Sequence, residues 1–118
     1  MQINWQVVYQ TTKGSVFQCT LTNRFIVEFS HTQTSFSVLD FRQFRRMVNA
    51  IDMRQMALRT DDAHDVAILS PPHTDRCFVL TLCEVVHLRD LLNGAGFMLD
   101  LNRMLSDCGC SFPEEVIA

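Results

Sequence analysis

At 118 residues, 47% hydrophobic and 19% charged, the chain has the length and composition of one globular domain with a sizeable core, not of a disordered segment. Its net charge of −3 and pI of about 5.7 argue against strong general binding to nucleic acid, and no apolar run reaches the ~18 residues of a membrane span. Five cysteines, an odd number without regular spacing, do not read as a secreted disulfide scaffold and suit reduced thiols in the cytoplasm; the first ten residues show no signal peptide.

In chain order, Ile3, Trp5, Val7 and Tyr9 alternate with Asn4, Gln6 and Gln10, which predicts a half-buried strand. Phe17, Cys19 and Leu21 alternate with Val16, Gln18 and Thr20, and Phe25, Val27 and Phe29 with Ile26, Glu28 and Ser30. A short fourth strand ends near Phe36. Polar turns separate the runs, so the reading is an antiparallel meander with one apolar face that needs a cover. Trp5, Phe17, Phe25 and Phe29 are all expected on that covered face.

Residues 37–51, SVLDFRQFRRMVNAI, supply the cover. Ser37 and Asp40 have capping-box spacing, and Phe41, Phe44, Met47, Val48 and Ile51 recur at helical intervals. The predicted helix runs from Val38 towards Met53 or Met56. Arg42, Arg45 and Arg46 share much of its polar side. Residues 1–60 hold seven Lys/Arg against three acids, a net of +4, while residues 61–118 hold three against ten, a net of −7. Solvated faces explain such a split. The sharper expectation is that Arg42, Arg45 and Arg46 meet an acidic partner or the acidic half of a second copy.

Residues 57–65 are polar and acidic and read as a loop. Val66 to Leu69 reads as a short buried strand, SPPHTDR (70–76) as a hairpin connection, and residues 77–80 as the returning strand. A second helix then starts at Thr81, which pairs with Glu84 in a better capping box. A shift of 44 residues lays this helix on the first: Ser37 falls on Thr81, Asp40 on Glu84, Phe44 on Leu88, Arg45 on Arg89 and Asn49 on Asn93. The chain therefore contains two strand–cap–helix units, at 34–56 and 77–106, in one domain of residues 1–110 with a loose tail at 111–118. Gly94 and Gly96 stand for a kink, a break or a close crossing. Val85, Leu88, Leu92, Ala95 and Leu99 form one stripe, which Leu91, Met98, Leu101 and Leu105 widen. A helix apolar over so much of its circumference predicts a homodimer through Leu88, Leu91, Leu92, Ala95, Met98 and Leu99.

The chemistry-bearing residues are sparse. Cys108-Gly-Cys110 has two thiols, but a tetrahedral site needs two more ligands, and a helix-ending turn at Gly109 explains the spacing. Asp61, Asp62, His64, Asp65, His73 and Asp75 are close in sequence but lack a metal-binding spacing. His31 and His87 are isolated, and no nucleophile elbow or phosphate loop is present. No cofactor is expected.

The run Gly14-Ser-Val-Phe-Gln-Cys19, then Phe25-Ile-Val-Glu-Phe29, then Phe36 and Phe41-x-x-Phe44, resembles a small uncharacterised domain family of bacteroidete bacteria, a domain of unknown function. The likeness implies a Cys-bearing strand pair, an F-x-x-F helix, two more strands and a final helix. Members of that family often carry a second Cys three residues after the first, where this chain has Thr22. The resemblance implies architecture and no activity.

The expected fold is α+β, an antiparallel sheet with two covering helices in the order β-β-β-β-α-β-β-α. The expected function is a cytoplasmic, non-enzymatic protein-interaction or assembly module. One alternative is a single-stranded nucleic-acid binder, which needs Arg42, Arg45 and Arg46 beside an exposed strand face bearing aromatics. Another is a metal protein or small enzyme, which needs the 61–75 Asp/His loop or Cys108 and Cys110 to converge.

Overall fold

Four consecutive strands, β1 (Trp5–Thr11), β2 (Gly14–Cys19), β3 (Arg24–Phe29) and β4 (Thr32–Phe36), pair as an antiparallel meander in that spatial order. They belong to a computed structural model that describes residues 5–58 and 66–109. A two-residue turn, Ser30 and His31 with φ of 53° and 62°, joins β3 to β4; positive φ at both positions matches the twist of the flanking strands. Val16, Phe25, Val27, Phe29 and Phe36 face inward and are buried.

β1 and β2 correct one expectation. Phe17 pairs with Ile26 and Trp5 with Cys19, so these side chains lie on the opposite, outer face of the sheet. Val16, not Phe17, is the fully buried residue of β2. The register of β1 shifts between Val7 and Tyr9. One extra residue there turns Tyr9 to the core side while Trp5 and Val7 stay outside, which strict alternation does not foresee.

Helix α1 (Val38–Asn49) begins where Ser37 Oγ accepts from the Asp40 backbone N–H at 3.2 Å. Its Phe41 and Phe44 rings lie 4.9 Å from those of Phe25 and Phe36 respectively, which closes the inner face of the sheet. The expected single helix to residue 53 or 56 is two. α1 ends at Asn49, and a six-residue α2 (Met53–Leu58) restarts after Asp52, whose carboxylate accepts from the Gln55 N–H at 3.0 Å. The break has a tertiary cause. Arg89 Nη2 donates to the carbonyls of Val48, Asn49 and Ile51 at 3.1, 3.3 and 2.8 Å, satisfying acceptors that a helix end leaves open.

Strands β5 (Val66–Leu69) and β6 (Phe78–Thr81) form a separate antiparallel pair and hand over to α3 (Leu82–Asp107). The capping box is reciprocal: Thr81 Oγ1 accepts from the Glu84 N–H at 3.3 Å, and Glu84 Oε1 accepts from the Thr81 N–H at 3.0 Å. α3 runs unbroken through both glycines. A side chain at Gly94 would enter the Tyr9 ring, and one at Gly96 the Arg45 guanidinium, so both glycines serve close crossings.

The 44-residue correspondence becomes a contact. Asn49 and Asn93 exchange amide hydrogen bonds of 3.0 and 3.1 Å across the α1–α3 crossing. Arg45 Nε donates to Asn93 Oδ1 at 2.9 Å, while its counterpart Arg89 reaches the carbonyl of Asn49. The equivalent residues of the two units thus face one another, as in a local two-fold pair.

Candidate functional site

The expected dimer residues of α3 are the heart of the monomer. Leu88, Leu91, Leu92 and Ala95 have no exposed surface. The sheet, α1 and the β5–β6 ribbon all pack on this helix, which accounts for its broad apolar sector within one chain. Met98 and Leu99 are half-buried at the edge of the same core. An interface through this set is therefore corrected: four of the six side chains are already used.

Of the three arginines, Arg42 and Arg46 are exposed, and Arg45 is committed to Asn93. α1 packs on the inner face of the sheet through Phe41, Phe44 and Val48, whereas Trp5 and Phe17 lie on the outer face, their rings 5.5 Å apart. The arrangement needed for single-strand binding, arginines beside exposed aromatics, is not formed by these residues.

The outer face holds a shallow cleft of about 300 Å³ lined by Trp5, Cys19, Thr22, Arg24, Ile26 and Ser35. Arg24 is anchored there, its Nε donating to Ser35 Oγ at 2.7 Å. A hydrogen bond from the Thr22 hydroxyl, aided by the backbone N–H groups of Thr22 and Leu21 and by Trp5, holds the Cys19 thiol below its ordinary pKa. The residue standing where the resemblance places a second cysteine thus serves as a donor to the first.

Among the expected metal ligands, residues 61, 62, 64, 65 and 110 lie outside the described residues. His73 and Asp75 line an open surface beside β4, and among the described residues no group of three or more His, Cys, Asp and Glu is placed to hold a metal ion. Cys108 caps α3, and Gly109 follows at φ 79°, a left-handed helix end of the expected kind. His73 Nδ1 instead lies 3.1 Å from both carboxylate oxygens of Asp40. The His73 hydrogen bond, helped by Ser37 and by the charges of His73 and Arg24, holds the Asp40 carboxyl below its ordinary value. Stability from this contact is in place above the ordinary carboxylate pKa and is lost as pH falls through the depressed one. Carbon-detected NMR titration should place the Asp40 midpoint below the ordinary ~3.9. His73→Ala should move it upward, and an unchanged midpoint would show that the bond does not hold in solution.

Among the described residues, exposed apolar side chains gather on the ribbon and at the far end of α3. On the ribbon, Val66, Ile68 and Val79 are 40%, 65% and 56% exposed, and Ile68 pairs directly with Val79. This corrects the reading of Val66 to Leu69 as a buried strand: a run of four apolar residues carries no alternation to tell one face from two. The edges of the larger sheet are protected. β1 has its register shift, and Arg76 Nη2 donates to the Gln33 carbonyl of β4 at 3.3 Å. β5, VAIL, carries no charge or proline. The second surface is the far end of α3, where Phe97 and Met104 are 63% and 61% exposed. Among the described residues no helix is long and apolar enough to cross a membrane.

No curated protein and no solved structure matches the chain. A family model does match, over residues 1–97, a span that takes in both sheets, α1, α2 and the proximal part of α3: the chain belongs to the family of unknown function DUF6686.

Proposed function

We propose that this domain is a non-enzymatic protein-interaction module that docks a partner on the β5–β6 ribbon. The carrying observation is the outward trio Val66, Ile68 and Val79 on a sheet of two strands. Such a ribbon is marginal alone. A third strand added along β5, or an apolar surface laid on the trio, would bury β-branched side chains that now face water. A reducing, cytoplasmic setting fits the free thiols of Cys19, Cys77, Cys83 and Cys108.

The test is a surface variant, Ile68→Lys with Val79→Thr, which should fold as the parent does because both positions are exposed. Immobilised wild-type protein should retain a partner from extract of the producing cells. It should bind that partner again when both are pure, with Kd weakened at least about tenfold in the variant. Equal affinity of variant and wild type, or no partner that rebinds in pure form, would overturn the reading.

A further inference from the structure

Cys19 differs in setting from the other described thiols. Cys77, Cys83 and Cys108 are exposed near the ends of β6 and α3, whereas Cys19 is half-buried in the wall of the outer-face cleft. The Thr22 hydroxyl, the N–H groups of Thr22 and Leu21, and Trp5 all donate towards its sulfur. Such donors stabilise a thiolate, the form of cysteine that acts as a nucleophile. The same cleft holds a cation. Arg24 is the register partner of Cys19 across β2 and β3, and it is the one charged group among the described residues that line the cleft. Its Nε and Nη2 donate to Ser35 Oγ and O at 2.7 and 3.2 Å. These bonds fix the guanidinium over β4 and leave Nη1 without a partner among the described residues. From β2 to β4 is two strand spacings, about 10 Å. Ile26, 6% exposed, forms the floor between thiol and guanidinium, and Trp5 closes the β1 side.

We propose that Cys19 is a site of reversible thiolation, and that the cleft around it receives a small peptide disulfide bearing free carboxylates. The Cys19 thiolate attacks one sulfur of the disulfide. A new S–S bond forms to Cys19, the old S–S bond breaks, and the departing half leaves as a thiolate that takes a proton from water. The retained half lies across Ile26 and brings a carboxylate to Arg24 in a charge-assisted hydrogen bond. A span of about 10 Å is that of three extended residues. A cleft of about 300 Å³ has room for such a group. A hydroperoxide would use neither the span nor the cation, so the geometry favours the larger reactant. Among the described residues no second cysteine lines the cleft, and Thr22 stands three residues after Cys19. The mixed disulfide therefore has no neighbouring thiol to resolve it, and it persists until an external thiol removes it.

The reduced full chain is to be treated with glutathione disulfide at neutral pH and mapped by peptide mass spectrometry at low conversion. The glutathionyl group should appear on Cys19 ahead of the other four cysteines. Trp5 is the chain's single tryptophan, so its fluorescence should change on reaction, return with dithiothreitol, and stay constant in Cys19→Ser. Arg24→Gln, shown by circular dichroism to be folded, should slow the reaction with glutathione disulfide by about threefold or more, the weight of an exposed ion pair. The same variant should react with the neutral bis(2-hydroxyethyl) disulfide as wild type does, and Arg24→Lys should recover part of the loss. Modification that begins at an exposed cysteine overturns the site, and a Cys19 adduct that leaves Trp5 fluorescence unchanged overturns its seat in the cleft. Equal rates for wild type and Arg24→Gln with glutathione disulfide, or equal slowing with both disulfides, overturns the carboxylate contact. Faster conversion of Cys19 to a sulfenic acid by equimolar hydrogen peroxide overturns the choice of reactant. Ile68→Lys with Val79→Thr should react like wild type, so this inference and the ribbon reading can fail separately.

Discussion

Phe44→Ala is expected to destabilise the domain by about 3–5 kcal/mol, the cost of deleting a buried aromatic side chain and leaving a cavity. Phe44 is fully buried at the point where three elements meet. Its ring stacks on Phe36 of β4 at 4.9 Å, and the tilted Phe78 ring of β6 lies 5.0 Å from it. The larger sheet, α1 and the ribbon therefore share one aromatic layer, and removing its centre loosens all three. Small domains have total stabilities of about 5–15 kcal/mol, so the variant should unfold at much lower urea or not fold at 37 °C. Leu39→Ala, on the same helix but 74% exposed, should change stability by no more than about 0.5 kcal/mol. Equal losses at the two positions would contradict the packing described.

Arg89→Met should cost about 2–4 kcal/mol, because it removes charge-assisted hydrogen bonds to three carbonyls and the cation that favours a helix C-terminus. The donors come from α3 and the acceptors from the end of α1 and the residues after it, so the effect should be local as well as global. Amide hydrogen exchange in the last turn of α1 and at Ile51 should accelerate more than exchange in β2. Lys at this position should recover part of the loss, since an ammonium can serve one or two of the carbonyls but lacks the guanidinium's spread of donors. Arg46→Met, at an exposed site, is the control and should be nearly silent. Uniform exchange across the domain in Arg89→Met would mean that the contact is not what ends α1.

These two residues show how the halves of the chain are tied. Phe44 joins the first unit to the ribbon of the second, and Arg89 holds the end of the first helix from the second. Asn49 and Asn93 complete the junction between them. Arg45, expected to serve a partner, is occupied in this junction and needs Gly96 to lie where it does. Arg42 and Arg46 remain on the solvent side of α1.

Much of the architecture was legible in residue order alone, because the cues were local. Period-two alternation marked β1 to β3, Ser37 and Thr81 marked the two helix starts, and Pro71 with Pro72 marked the connection between β5 and β6. The α+β class and the order of strands and main helices follow from those cues. Which face of each element is covered was decided only in three dimensions. The shift between Val7 and Tyr9 turned Tyr9 inward and left Trp5 outside, and both faces of β2 are apolar enough for Phe17 to have gone either way. The broad apolar sector of α3 looked like a dimer surface, but the sheet, α1 and the ribbon each claim part of it. The exposed trio on the ribbon, and Phe97 and Met104 on the far part of α3, were hidden for the same reason. Hydrophobicity records that a side chain favours burial, and only the packed chain shows which of those side chains its own elements cover and which are left for another molecule.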